Sequence, residues 1–164
     1  MRKWILSLKT CFLTYQKEWL VGALIVVLDQ LSKVLIRLYL HQPYPLEVCP
    51  FFYLRYAENT GAAFSMMQGG NWLLVFIMLA IIAYIFKSWK ELCSYGALVR
   101  WGCVFILAGA VGNLYDRITL GYVIDFLDFR VWPVFNLADS FITIGGGLFV
   151  ISLLKNRKPS REEK

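Results

Sequence analysis

Apolar residues run along this chain in four long blocks, with most polar residues in the segments between them. The blocks extend from about Trp19 to Leu40, Asn71 to Phe86, Ala97 to Leu114, and Leu137 to Leu154. A helix needs about 20 mostly apolar residues to cross the hydrocarbon core of a bilayer. Each block is therefore expected to be a membrane-spanning helix. The second is short, and its ends are expected to reach into Gly69–Gly70 and Lys87–Trp89. Two of the intervening segments have a pattern of their own. Residues 51–67 read FFYLRYAENTGAAFSMM, aromatic and apolar with a glycine break, and residues 122–135 read YVIDFLDFRVWPVF, partly alternating and β-prone. They predict a small sheet or platform at one end of the helices. Residues 1–155 are expected to form a single four-span domain, and residues 156–164 a basic tail.

Composition supports a membrane setting. Of 164 residues, 59% are hydrophobic and 17% charged, against globular norms of roughly 45–50% and 25%. A soluble domain this small could not hide that much apolar surface. The start of the chain does not read as a cleaved signal peptide. Lys9 interrupts its apolar residues, and no small-x-small cleavage signal comes before Trp19. Residues 1–18 predict a short amphipathic segment, of the kind that lies on a membrane surface.

The net charge is +6, and its distribution argues against nucleic acid as a partner. Arg2, Lys3, Lys9 and Lys17 precede the first apolar block, and Lys155, Arg157, Lys158, Arg161 and Lys164 follow the last. These charges flank a membrane. Lys87, Lys90 and Arg100 mark the middle connection, whereas the other two connections carry little net positive charge. The positive-inside rule then puts both termini in the cytoplasm and the two long loops outside. Four cysteines (Cys11, Cys49, Cys93, Cys103) and a single histidine, His41, include no C-x-x-C pair and no clustered histidine. That disfavours a zinc site, and no metal or cofactor is expected. The cysteines read as small apolar fillers or lone thiols.

Ionisable groups inside a membrane are rare and usually functional. Asp29, Lys33 and Arg37 fall at i, i+4 and i+8 of the first block, on one helix face. Asp29 and Lys33 can pair there, with Arg37 snorkelling outward. Their role, structural pair or substrate contact, stays open at this point. The ends of the third and fourth blocks repeat a pattern, Asn113-Leu114-Tyr115-Asp116 and Asn136-Leu137-Ala138-Asp139. In each, Asn and Asp are spaced to share a helix face, where the amide could hold the carboxylate. Helix capping is the plainer account, and it suits Asn136 better than Asn113. Gly102, Gly109, Gly112 and the run Gly145-Gly146-Gly147 predict close helix packing. Asp125 lies in the apolar stretch V-I-D-F-L-D-F with Asp128, and a lone carboxylate there needs a partner or a raised pKa. Thirteen residues separate Asp125 from Asp139, enough for about 45 Å of extended chain, so a turn can bring them face to face. Two carboxylates that meet in such a site share a proton. One can then activate water while the other polarises a carbonyl.

Five ordered blocks in this chain resemble the lipoprotein signal peptidase family, also called signal peptidase II. They are Asp29-Gln30-Leu31-Ser32-Lys33, Asn59-Thr60-Gly61-Ala62-Ala63-Phe64-Ser65, Gly109 through Asn113-Leu114-Tyr115-Asp116-Arg117, Val123-Ile124-Asp125-Phe126, and Phe135-Asn136-Leu137-Ala138-Asp139-Ser140. The resemblance implies an α-helical integral membrane protein with four transmembrane helices and a small extracytoplasmic β-cradle. It implies a catalytic aspartate dyad of Asp125 and Asp139. Supporting or substrate-binding roles follow for Asp29, Lys33, Asn59, Gly61, Asn113, Asp116, Arg117 and Asn136. The implied substrates are prolipoproteins carrying diacylglyceryl on a cysteine, cut just before that cysteine at the outer face of a bacterial inner membrane. A monomer suffices. The competing readings are a small proton- or ion-coupled transporter using Asp29, Lys33 and Asp139 as a relay, and a non-enzymatic membrane adaptor. The first lacks an inverted repeat beyond the short Asn–Asp echo, and the second leaves the carboxylates unexplained.

Overall fold

A computed structural model describes residues 14–40, 44–61 and 70–156 of the chain. Most of the expected amphipathic segment, the basic tail, Cys11, His41 and positions 62–67 of the platform lie outside the described residues. In chain order the elements are helix α1 (Gln16–Tyr39), strands β1 (Leu46–Cys49) and β2 (Phe52–Asn59), helices α2 (Asn71–Lys87), α3 (Trp89–Ser94) and α4 (Ala97–Thr119), strand β3 (Val123–Asp128), and helix α5 (Leu137–Asn156). The helices α1, α4 and α5 are long and apolar enough to cross a bilayer. The 17 residues of α2 span about 25 Å at 1.5 Å each, close to the lower limit for a span. The architecture is that of an α-helical, multi-pass membrane protein with a small sheet at one end.

Polarity is arranged inside out relative to a soluble protein. The buried face of α1 consists of Glu18, Gly22, Ile25, Asp29, Lys33 and Ile36, repeating every three or four residues. Its exposed positions include Leu20, Leu24, Val27, Leu31, Val34 and Leu38, a surface suited to lipid. Arg37 is exposed in the last turn of α1, in line with the expectation that it snorkels outward.

Helix α4 is the hub, and α1, α2 and α5 all pack on it. Its contact with α5 is close because glycines meet. A Cβ on Gly145 would lie 2.7 Å from the carbonyl of Gly102 and 2.8 Å from Ile106, and a Cβ on Gly109 would strike the carbonyl of Ala138. Gly146 and Gly147 correct the sequence expectation. Neither meets any neighbour, so only the first residue of the glycine run serves packing. Helix ends also differ from expectation. Helix α1 starts at Gln16, before Trp19, because Glu18 has a partner in Arg100, whose Nε donates to it at 2.8 Å. Helix α4 runs to Thr119 instead of stopping at Leu114, so Asp116 and Arg117 are helical and not in a loop. Both are buried with partners, which removes the usual reason for a charge to end a helix in lipid.

The sheet has the antiparallel order β1-β2-β3, with a bulge between Leu54 and Ala57 of β2. It docks on the end of α1 through Ile36, Ile124 and Phe126. Strand β3 is buried on both faces from Val123 to Phe126, and Asp125 is carried inside with it. After β3 the chain loops out and returns to bridge itself. Phe135 accepts from Phe126 and Leu127 at 2.9 and 2.8 Å, and the rings of Phe52, Phe129 and Phe135 stack at 4.8 and 5.9 Å.

Adjacent glycines give a test of the helix contact. Gly145→Ala is expected to lower stability in detergent by about 1–3 kcal/mol through overpacking. Gly146→Ala, which enters open space, is expected to change it by less than about 0.5 kcal/mol. Thermal unfolding midpoints of the two purified variants measure the difference, and equal midpoints would refute the close-contact account.

Candidate active site

The site is built where β3, the start of α5 and the last turns of α4 converge. Asn136 stands at its centre. As the cap of α5, its backbone carbonyl receives the first helical bond from Ser140 at 3.2 Å. Its side-chain oxygen accepts from the Asp139 N–H at 2.9 Å, and its own N–H donates to Asp139 Oδ2 at 3.3 Å. This is a reciprocal capping box with Asp in the third helical position. The Asn136 amide nitrogen is turned the other way and donates to Asp125 Oδ1 at 2.7 Å. One residue therefore bonds both carboxylates of the expected dyad, Asp125 through its side chain and Asp139 through its backbone N–H.

Each carboxylate has a second amide. Asn59, at the end of β2, donates to Asp125 Oδ2 at 2.9 Å, and Asn113 donates to Asp139 Oδ1 at 2.7 Å. Gly61 fixes Asn59 from below. Its N–H donates to Asn59 Oδ1 at 3.2 Å, which leaves the Asn59 nitrogen facing Asp125. Gly61 does so at φ +135°, a backbone region that favours glycine. The Asn–Asp echo thus works differently from the sequence expectation. Asn113 serves Asp139 on another helix, not its neighbour Asp116.

Asp125 is 3% exposed, whereas Asp139 keeps an accessible edge. Burial pushes the Asp125 carboxyl up to about 7, and the nearby charge of Asp139 adds to this. Hydrogen bonds from Asn59 and Asn136 and the charge of Lys33 pull the other way. Desolvation outweighs the donors because a carboxylate loses more in leaving water than two neutral amides restore.

A buried ionic cluster supports the dyad from the membrane side. The Lys33 ammonium makes three bonds, to Asp29 Oδ2 at 2.8 Å, Asp116 Oδ2 at 2.9 Å and Asn113 Oδ1 at 2.9 Å. Asp29 is fully buried and its other oxygen accepts from the Ala138 N–H at 2.9 Å. That bond holds the first turn of α5, where the helix dipole favours a negative charge. Asp116 accepts from the Ile124 N–H at 3.2 Å and so fixes β3 beside Asp125. Gly112 allows the approach, since a Cβ there would lie 2.5 Å from Asp29 Oδ2.

Two further residues complete the cluster and were not singled out from sequence. Gln30 donates to Asp116, to Asp29 and to the Gly112 carbonyl at 3.0, 3.2 and 3.0 Å. Its signal was an amide inside an apolar span. Asn71 exchanges hydrogen bonds with Arg117, side chain to side chain at 3.2 Å and side chain to backbone at 3.1 Å. Arg117 is 5% exposed and interacts electrostatically with both Asp125 and Asp139, while its Nε has no hydrogen-bond partner. Asp128 stands apart from the dyad. It pairs with Arg55 at 3.1 Å and accepts from the Arg130 N–H at 2.8 Å, and so stiffens the sheet.

The chain is similar to known proteins over most of its length. A family model described as signal peptidase (SPase) II matches residues 21–155. The lipoprotein signal peptidase of Halothermothrix orenii is 37% identical over 142 residues, covering 85% of this chain and 97% of that protein. The lipoprotein signal peptidase of Alteromonas mediterranea is 41% identical over 153 residues, covering 87% and 83%. Among solved structures, a bacterial membrane enzyme determined by the in meso method superposes with a TM-score of 0.82 at 29% identity, covering 91% of this chain and 94% of its own. A second such enzyme gives 0.79 at 30% identity, covering 87% and 95%. With its membrane helices, its small sheet and a match over most of its length, the chain belongs to the signal peptidase II family and is a protease.

Proposed function

We propose that this protein is an aspartic endopeptidase that removes the signal peptide from diacylglyceryl-modified prolipoproteins, cutting just before the lipidated cysteine, with Asp125 and Asp139 as its catalytic residues. The observation that carries the reading is that two carboxylates from different elements are bonded by one residue, Asp125 by the side chain of Asn136 and Asp139 by its backbone N–H. Such a pair shares a proton. Asp125, deeply buried and pushed up to about 7, is the member that holds it. Asp139 keeps an accessible edge and lies in the first turn of a helix with two N–H donors on its oxygens, so it is the base that takes a proton from water. Water then attacks the scissile carbonyl. Asp125 polarises that carbonyl and afterwards its proton passes to the leaving amine. The free Nε of Arg117 is a donor for a substrate carbonyl. Asp29, Lys33, Asp116 and Gly61 position these groups. The chemistry needs no metal or cofactor, and one copy of the chain suffices.

Charge supports an orientation. Lys17, Lys87, Lys90, Arg100 and Lys155 gather at the end of the helices away from the sheet. By the positive-inside rule that end faces the cytoplasm, with both termini. The dyad and the sheet then lie at the outer face of the bacterial inner membrane, at the depth where a lipid-anchored cysteine emerges. Residues 1–155 act as one domain and the basic residues from 156 as a cytoplasmic tail.

Asp125→Asn and Asp139→Asn should each reduce cleavage of a diacylglyceryl-modified prolipoprotein by at least ~10³-fold while the purified variants keep their helical content. Full activity in either one would sink the dyad assignment. The pH profile gives a second test. The working pair needs Asp125 protonated, so kcat/KM should fall as pH rises through about 7. Asn59 favours the charged form of Asp125, so Asn59→Ala should move this alkaline limb to higher pH. A limb unmoved or moved lower would contradict the assignment of Asp125 as the acid.

A further inference from the structure

Helices α1 and α2 both pack on α4 and meet each other through the stacked rings of Trp19 and Phe86 at 5.9 Å, with a groove beside that stack. The groove has a volume of about 270 Å³ and is lined by apolar groups, among them Trp19, Ala23, Val26, Phe86, Val104 and Val111. It lies on the side of α4 away from the carboxylates. Val104 and Asn113 are nine residues apart, a rotation of about 180° at 3.6 residues per turn. Asn113, which bonds Asp139, is thus on the opposite face of that helix.

One end of the groove is polar in a specific way. The Trp19 indole Nε1–H is buried without a hydrogen-bond partner among the described residues. So is that of Trp89, which is 4% exposed and whose ring lies 4.6 Å from Trp19. A buried N–H is seldom left unpaired unless an acceptor comes from outside the chain. Basic residues surround this end. Lys17 precedes Trp19, Lys87 follows Phe86, and Lys90 and Arg100 lie close in the chain to Trp89 and Val104. Arg100 is partly committed, through its Nε to Glu18 and its cation over the Tyr15 ring at 5.1 Å. Against Glu18 and Glu91, the four cations leave this end positive.

An apolar slot running from Trp19 to Val26, about 10 Å along the helix axis, with an unpaired buried N–H and a surplus of basic residues toward one end, has the polarity of an anionic glycerophospholipid. We propose that the groove between α1 and α2 binds such a lipid from the leaflet at the Trp19 end. An acyl chain lies along Ala23, Val26, Val104 and Val111. An ester or phosphate oxygen accepts from Trp19 Nε1, and the headgroup charge faces Lys17, Lys87 and Lys90. This site is independent of the peptidase reading, since it shares no residue with the dyad or its supports.

The test is native mass spectrometry of the detergent-purified full chain titrated with phosphatidylglycerol or phosphatidylcholine of the same acyl composition. One phosphatidylglycerol is expected to be retained in preference to phosphatidylcholine. Ala23→Trp fills an exposed position in the groove and should abolish that adduct. Trp19→Phe keeps the ring stack but removes the donor, and should weaken binding by about three- to tenfold. Both variants should cleave prolipoprotein at the wild-type rate, which also shows that they are folded. Equal retention of the two lipids would overturn the proposal, as would an Ala23→Trp variant that cleaves normally and still holds the lipid.

Discussion

The architecture depends on one buried ammonium. Lys33 is 1% exposed in a helix whose outer surface is hydrocarbon-facing, and a charge in that setting persists only if every proton has an acceptor. It finds three, from α1 itself and from α4. The acceptors are themselves committed, Asp29 to the first turn of α5 and Asp116 to the backbone of β3. The requirement to neutralise one side chain therefore fixes the relative positions of four elements, α1, α4, α5 and β3. The last two carry Asp139 and Asp125, the pair proposed to be catalytic. In water such a cluster would compete with solvation and contribute little net stability. In lipid the alternative is an unpaired charge, so the cluster selects a single arrangement of the helices.

Asn136 adds a second coupling. Its side chain caps α5 and restrains Asp125, so the start of that helix and the separation of the carboxylates are set by the same atoms. The glycine contacts between α4 and α5 give this joint its stiffness, because backbone meets backbone with no flexible side chain between.

Much of this was legible in the sequence, for physical reasons. The helices announced themselves because lipid demands long apolar runs. Asp29, Lys33, Asp125 and Asp139 stood out because carboxylates and ammonium groups are improbable in apolar surroundings. What was hidden was mostly long-range. The spacing of Asn113 and Asp116 suggested a local pair, yet Asn113 reaches across to Asp139, 26 residues away. Helix α4 was expected to stop near Leu114, since nothing local shows that Asp116 and Arg117 have buried partners. Gln30 and Asn71 escaped notice because an uncharged amide carries a weaker signal than a charge, although each bridges two elements. Strand β1 has only four residues, almost all exposed, and so lacks the alternation that marks a half-buried strand. Gly146 and Gly147 show the opposite error, a pattern that looked like packing and is not.

Asp125 and Asp139, the pair proposed to be catalytic, sit on one continuous stretch of chain that closes on itself at Leu127 and Phe135. Beyond that closure, the tip at Val131 and Trp132 projects outward, 91% and 68% exposed. The segment is a bight tied off at its base. Its tip can gain, lose or exchange residues without moving the carboxylates below the knot. That exposed tip is thereby free to diversify between lineages while the carboxylates beneath it keep their places, so the outer surface and the buried pair can evolve on separate schedules within a single turn of chain.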